Sequence, residues 1–464
     1  MQTEPENIPQ SDQLPPSHSE RVVSGPIVKT IFSLALPVTL GMLMEVVLLI
    51  TDFYWVGRLG PTAQDAVTTS MVVIWTLFSA ISIISIGTTA LVSRYVGARE
   101  QDRVNHFIRQ ALWATLGIGL VVTVGGYYST PGFLKFMGAG QSTMAAAQPY
   151  LRLFFISSLT WFFTEVIFAV FRASGDTRTP MKIGIINVVL NMALDPLFIF
   201  GWGPVPAYGV LGASVATAIS HAVGTTICFW YLLKGRLGYT VPRIFRTMPR
   251  LASILKMARI GVPIATQQLA FVIVYWFLIK YVHEFGEAAG AAMGIGNRME
   301  SMSYMICAGF GIAASTMVGQ NLGAEKPDRA SRCAWGAVGL GIGVTMIFSA
   351  MFLGVPGFMA SIFTSDPEVH KIAVDYLIIL GLSQTAMALE IVLEGAFSGA
   401  GDTLPPMIVM IPGAAARIPL AYYLAFELNW GINGIWWTLT ITSIVKGIVL
   451  AYWFWLGRWK LKKV

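Results

Sequence analysis

Long apolar stretches, interrupted by short polar segments rich in Gly, Pro and charge, follow one another along almost the whole chain. A helix needs about 20 mostly apolar residues to cross a bilayer. Twelve stretches meet that need, near 31–56, 66–92, 110–129, 149–170, 183–201, 210–233, 260–283, 293–317, 333–354, 371–395, 406–426 and 433–456. They are numbered here as spans 1 to 12. The even count places both termini on one side. Residues 1–24 are polar and rich in Pro, Ser, Gln and Glu, the composition of a disordered tail rather than a signal peptide.

The pattern is doubled. "FRASGDTRTPM" at 171–181 returns as "FSGAGDTLPPM" at 397–407, an offset of 226 residues. The same offset carries Pro37 to Pro263, Gly60 to Gly286, Gly97 to Gly323 and Tyr150 to Tyr376. Near the end, "GVLGASVAT" (209–217) answers "GINGIWWTL" (431–439) at offset 222, so the second copy has lost about four residues. Each copy holds six spans. The copies therefore share one orientation and are related by an axis along the membrane normal. The fold expected is all-α integral membrane, with twelve spans in two six-helix bundles: 25–233, then a basic linker 234–259, then 260–464 with its short basic tail.

Composition supports this picture. The chain is 55% hydrophobic and only 12% charged, about half of what a soluble domain carries. Its net charge of +7 comes from loops on one side, which hold 23 of the 31 basic residues, including Arg94, Arg99, Arg103, Arg172, Arg178, Lys182, Arg243, Arg250 and Arg332. Such asymmetry sets orientation, with both termini cytoplasmic, and does not call for nucleic acid. Cys228, Cys307 and Cys333 form no disulfide framework or metal-ligand spacing. No P-loop, TVGYG-type filter or Ser/His/Asp arrangement is present, so neither an ATP-driven pump, a potassium channel nor an enzyme is expected. Two facing bundles suit alternating access, in which a midplane site opens to one side and then the other.

The chemistry must lie with the polar residues inside the spans, where an ionisable group is costly. In "NVVLNMALDPLFIF" (187–200), Asn187, Asn191 and Asp195 recur every four residues, on one face of span 5. Span 1 carries Glu45 and Asp52. Both run in the same direction, so Asp52 and Asp195 reach similar depths. Thr217 of span 6 descends to the same level. Two carboxylates, an amide oxygen and a hydroxyl can hold a small cation such as Na⁺, or the carboxylates can share a proton. Either device would couple ion entry to a conformational change. A structural hydrogen-bond network between spans 1 and 5 is the plainer alternative.

Secondary candidates for coupling or substrate contact are Glu165 on span 4, Glu45, Asn187, the pair Glu390 and Glu394 on span 10, and Arg417, which stands where span 5 has Asn191. Arg417 is expected either to neutralise one of the two glutamates or to leave one free for a cationic substrate. The two GDT loops read as helix starts, His221 as a packed polar residue, and most of the 21 Met and 27 Phe as packing or lipid-facing residues.

The doubled spans, "ALPVTLGMLMEVVLLITDFYWVGRLG", "RYVGARE" answered by "QNLGAEKPDRA", and the paired GDT loops resemble the MATE family of secondary transporters. The resemblance covers nearly the whole chain after residue 25. It implies two six-helix lobes around a central cleft, and export of organic, often cationic drugs in exchange for H⁺ or Na⁺, with no other cofactor. It also implies an ion-coupling set at Asp52, Asn191, Asp195 and, by a looser match, Thr217. One feature departs from the NorM-like branch: its span 7 glutamate, eight residues after the helix proline, is Phe271 here. That favours the branch with the N-lobe site. The remaining expectations are a monomer among membrane lipid, in a prokaryotic plasma (inner) membrane. Two readings compete: a flippase for lipid-linked saccharides, and an importer or channel for one small molecule.

Overall fold

The computed structural model describes residues 18–235 and 247–462. Arg236, Arg243, Arg246 and Lys463, counted above in the basic loops, lie outside them, as do residues 1–17. Among the described residues eleven helices are long and apolar enough to cross a membrane, and a bent pair makes a twelfth. Span 1 is Ile27–Gly57, span 2 Pro61–Gly97, span 3 Gln101–Phe136, span 4 Gln141–Ala173, span 5 Arg178–Phe200 and span 6 Val210–Leu233. Span 7 is Leu251–His283, span 8 Glu287–Gly323, span 9 Pro327–Gly354 and span 12 Ile432–Trp455.

Span 10 is not the single helix expected over 371–395. It is Pro367–Gly381 followed by Gln384–Ala400, bent by 57°. Backbone freed at such a break must find partners, because lipid offers none. Ser349 Oγ donates to Gly381 O at 2.6 Å and Gln384 Nε2 to Leu380 O at 3.4 Å, while Ser303 Oγ holds the Gln384 side chain, donating to its Oε1 at 2.7 Å. Span 11 is interrupted too. It runs Leu404–Ala415, Arg417–Tyr422 and a π-turn Tyr423–Glu427, with Pro412 and Pro419 each removing a helical donor.

Two further boundaries differ from expectation. Residues 18–24, read as part of a disordered tail, form a helix, because Val22 is apolar and buries against span 8, where Asn321 donates to its carbonyl. Residues 251–259, read as linker, are the opening turns of span 7. The basic side chains there leave room for Met257 and Ile260 to bury.

The repeat is written into the backbone. Left-handed φ values recur in pairs: Gly60 and Gly286, Arg99 and Glu325, Gly175 and Gly401, each 226 apart. Gly203 still pairs with Asn429 at that offset, but Gly209 pairs with Gly431 at 222. The lost residues therefore come from the loop 203–209, which shrinks to 429–431. One GDT loop is a helix cap, as expected: Asp176 Oδ1 accepts from Arg178 N (3.1 Å) and Thr179 N (3.0 Å). Asp176→Ala should cost about 1 kcal/mol, seen as a lower melting temperature of the detergent-solubilised protein with transport retained. In the second loop Asp402 instead pairs with Lys462 at 3.0 Å.

Spans 1 and 7 bridge the bundles. The first turns of span 1 (Ile31, Leu34, Ala35) pack in the core of spans 8, 9 and 10, while Val56 at its other end packs with spans 2 and 4. Span 7 does the reverse: Met257 and Ile260 join spans 2 to 4, and Val274, Leu278 and Val282 join the second bundle. Hydrogen bonds between the halves gather on the side of the termini. Gln320 Nε2 donates to Ala173 O (2.7 Å), Thr316 Oγ1 to Arg172 O (3.0 Å) and Arg94 to Lys462 O (3.1 Å). The halves are thus fastened on that side.

Candidate functional site

Asp52, Asn191, Asp195 and Thr217 do come together, inside the first bundle. Asp195 is fully buried and Asn191 nearly so, on the inward face of span 5 that the four-residue spacing predicts. Span 1 brings Asp52 from the neighbouring helix. With its NH₂ group toward the acids, Asn191 lies 3.0 Å from Asp195 Oδ2 and 3.0 Å from Asp52 Oδ1. Its oxygen then lies 3.1 Å from Thr217 Oγ1. The two carboxyls are within hydrogen-bonding reach of each other.

Asp195 Oδ1 is buried with no hydrogen-bond partner. A buried carboxylate oxygen without a donor is expensive, and two adjacent carboxylates repel unless something positive lies between them. The unmet atom, its acidic neighbour and the hydroxyl leave a place for one small cation or one shared proton. Tyr150 of span 4 stands close enough to both acids to feel their charge. Its repeat position flagged it, although its place beside the acids could not be read from spacing.

Below this set, toward the termini, a recess of about 50 Å³ is lined by Glu45, Trp161, Glu165, Asn187, Asn191 and His221. Asn191 belongs to both. Asn187 Oδ1 and His221 Nδ1 have no partner. Glu165 is held by Arg172 at 2.6 Å, whereas Glu45 forms no ion pair among the described residues.

The second bundle is built differently. Arg417 does not pair with either glutamate of span 10. Its Nε donates to Thr442 Oγ1 (2.9 Å) and its Nη2 to Ser443 Oγ (3.2 Å), both on span 12. Glu390 is claimed by Lys446 of span 12, Nζ to Oε2 at 2.7 Å, and Glu394 accepts from Gln267 Nε2 at 2.8 Å. Lys446 and Arg417 are each only 6% exposed, so this half buries two bases, of which Lys446 was not singled out in the sequence reading. Glu300 of span 8, which also escaped that reading, accepts from Tyr376 OH at 3.3 Å. A charged residue at mid-span was its available signal.

Twelve membrane-crossing helices in two like bundles, with an acidic site inside one, define a membrane transporter. The chain belongs to the MatE family, whose profile matches residues 37–197 and again 263–423, and this is a family of transporters rather than enzymes. The two matches are themselves 226 residues apart. The chain is 28% identical to a probable multidrug resistance protein NorM of Thermotoga maritima over 442 residues, covering 94% of each. It is 24% identical to an FAD transporter of Shewanella oneidensis, covering 93% of this chain and 95% of that one. A solved structure described as the outward-facing conformation of a multidrug resistance MATE family transporter superposes with a TM-score of 0.88 at 22% identity, over 96% of this chain and 99% of that one.

Proposed function

We propose that this chain is a cation-coupled antiporter that exports organic, often cationic, drugs or toxic compounds by alternating access, in exchange for H⁺ or Na⁺. The observation that carries the reading is the Asp52–Asn191–Asp195 set, buried at Asn191 and Asp195, with an unsatisfied Asp195 Oδ1. Such a site is completed by a small cation, and filling or emptying it changes how spans 1 and 5 pack. The basic loops support a cytoplasmic termini side; with the halves tied together there, the outward side is the one left to release substrate and take up the coupling ion. The names of the relatives support drugs as substrates.

The recess supplies the second element. Glu45, without an ion pair among the described residues, faces it together with Trp161 and Phe168. A carboxylate beside aromatic faces is what an organic ammonium group selects. Glu45→Gln should therefore weaken transport of organic cations by about 10-fold in KM and leave neutral substrates nearly unaffected. Equal losses for both would remove Glu45 from substrate contact.

The direct test uses proteoliposomes loaded with a fluorescent organic cation. An inward Na⁺ or H⁺ gradient is imposed separately. Export driven by one gradient and absent under the other establishes antiport and names the ion. Export that ignores both gradients, or no export at all, would overturn the proposal.

A further inference from the structure

The two bundles are built to one plan, so equivalent positions can be compared directly. In the first bundle, Gly224 of span 6 carries no side chain, and the Asn187 amide lies against it. The equivalent pair in the second bundle has the bulk reversed. Gly413 stands for Asn187, and Lys446 for Gly224; a side chain at Gly413 would run into the Lys446 stem. The residue opposite gains a charge as well. Thr164, whose hydroxyl meets Thr225 Oγ1 at 2.8 Å, is replaced by Glu390, which takes the Lys446 ammonium at 2.7 Å. Where span 5 has the neutral Asn191, span 11 has Arg417.

Where the first bundle has an open recess with unsatisfied polar atoms, the second therefore has an ammonium group on a tether. Lys446 is buried, and so is its partner. Glu300, Glu394 and Arg417 are the other charged groups near enough to act on the pair. Even so, Glu390 Oε1 has no partner, so the ammonium satisfies only one of the two oxygens. A membrane protein that needed only a polar tie between spans 10 and 12 had the Thr164–Thr225 arrangement available in its own other half. A buried ion pair costs more to desolvate than that hydroxyl pair.

We propose that Lys446 is a built-in substitute for a mobile cation: it permanently occupies the cation position beside Glu390 in the second bundle, at the level of the first bundle's recess, so that ion coupling is confined to the first. This rests on the reading of the Asp52–Asn191–Asp195 set as the coupling site. It follows that Glu390, freed of Lys446, becomes a binding site for a monovalent cation or a proton. Lys446 is then a specificity-determining residue, setting how many ions the transporter can take.

The test is thermal stability of the purified full chain in detergent, as a function of NaCl, KCl and pH, in an Asp195→Asn background. That background should melt at a temperature indifferent to cation, with the pH dependence left by the other ion pairs and caps as its baseline. Adding Lys446→Gln should restore a dependence, with melting rising by roughly 2–4 °C as cation goes from roughly 1 to 100 mM, or as pH is lowered. Adding instead the pair Glu390→Thr and Lys446→Gly, which copies Thr164 and Gly224, should stay at that baseline. If the Lys446→Gln protein accumulates only with high cation or low pH, that rescue supports the same conclusion. A response no different from the baseline, or failure to accumulate under every condition while the Thr/Gly variant accumulates, overturns the proposal. A cation dependence that persists in Asp195→Asn alone points elsewhere: it strikes the first-bundle site, not Lys446.

Discussion

Asp195→Asn should abolish gradient-driven export while the protein still inserts, folds and binds detergent micelles as the wild type does. Asn keeps the size and shape of Asp, so the packing of span 5 is undisturbed. It removes the buried one of two adjacent negative charges, which relieves repulsion rather than creating an orphan charge. What it destroys is the capacity to attract a cation. A charge-assisted contact contributes about 1.5–3 kcal/mol, so ion affinity should fall by about 10–100-fold, and coupled export with it. Asp52→Asn should do the same from the other side of Asn191, because the amide bridges both acids at 3.0 Å. The measurement is export of a fluorescent cation from proteoliposomes under the driving gradient, with circular dichroism and melting as controls. Full export in both variants would reduce the set to a tie between spans 1 and 5.

Much of this was legible in the sequence, for reasons that differ from residue to residue. The spans follow from the length of apolar runs, which lipid enforces without help from tertiary contacts. The first-bundle site was legible because Asn187, Asn191 and Asp195 keep helical register through an unbroken span, and because depth alone brings Asp52 alongside. The second bundle was not, and its geometry explains why. Lys446 lies beyond the shortened loop 429–431, and although the offset of 222 there sets it against Gly224, spacing does not show that its ammonium reaches Glu390 of span 10. Arg417 sits in a span broken at Pro412 and Pro419, and helical spacing no longer predicts which neighbour it meets. It therefore reaches span 12 hydroxyls instead of span 10 carboxylates. The bend at Gly381–Gln384 has no proline to announce it; it depends on Ser349 and Ser303 arriving from spans 9 and 8. The helix 18–24 likewise exists only because spans 8 and 9 offer Val22 a place to bury.

Gly97→Val and Gly323→Val should each tip the transporter away from the state closed on the termini side. The two glycines are equivalent in the repeat, and each marks a point where spans 2 and 8 touch through backbone. A Cβ on Gly97 would strike the Gln320 carbonyl, and one on Gly323 the Arg94 carbonyl. Gln320 and Arg94 also make the hydrogen bonds that fasten this side, so the helices cannot separate without losing them. Neither glycine has a left-handed φ, which leaves close approach as the reason for its size. Overpacking costs about 1–3 kcal/mol, and it falls on the closed state alone. A cost of that size moves a two-state equilibrium about 5–150-fold. Alternating access then predicts that the opposite ends draw together. Spin labels at Phe136 and Phe358, exposed far-side residues on either half, would report it as a shift of the distance distribution toward shorter values. Transport should fall in parallel while membrane accumulation holds, because a transporter held to one side cannot complete its cycle. Gly→Ala at the same positions should give a smaller shift in the same direction, separating a graded steric effect from misfolding. An unchanged distribution with full transport in the valine variants would mean that spans 2 and 8 do not form the closed gate.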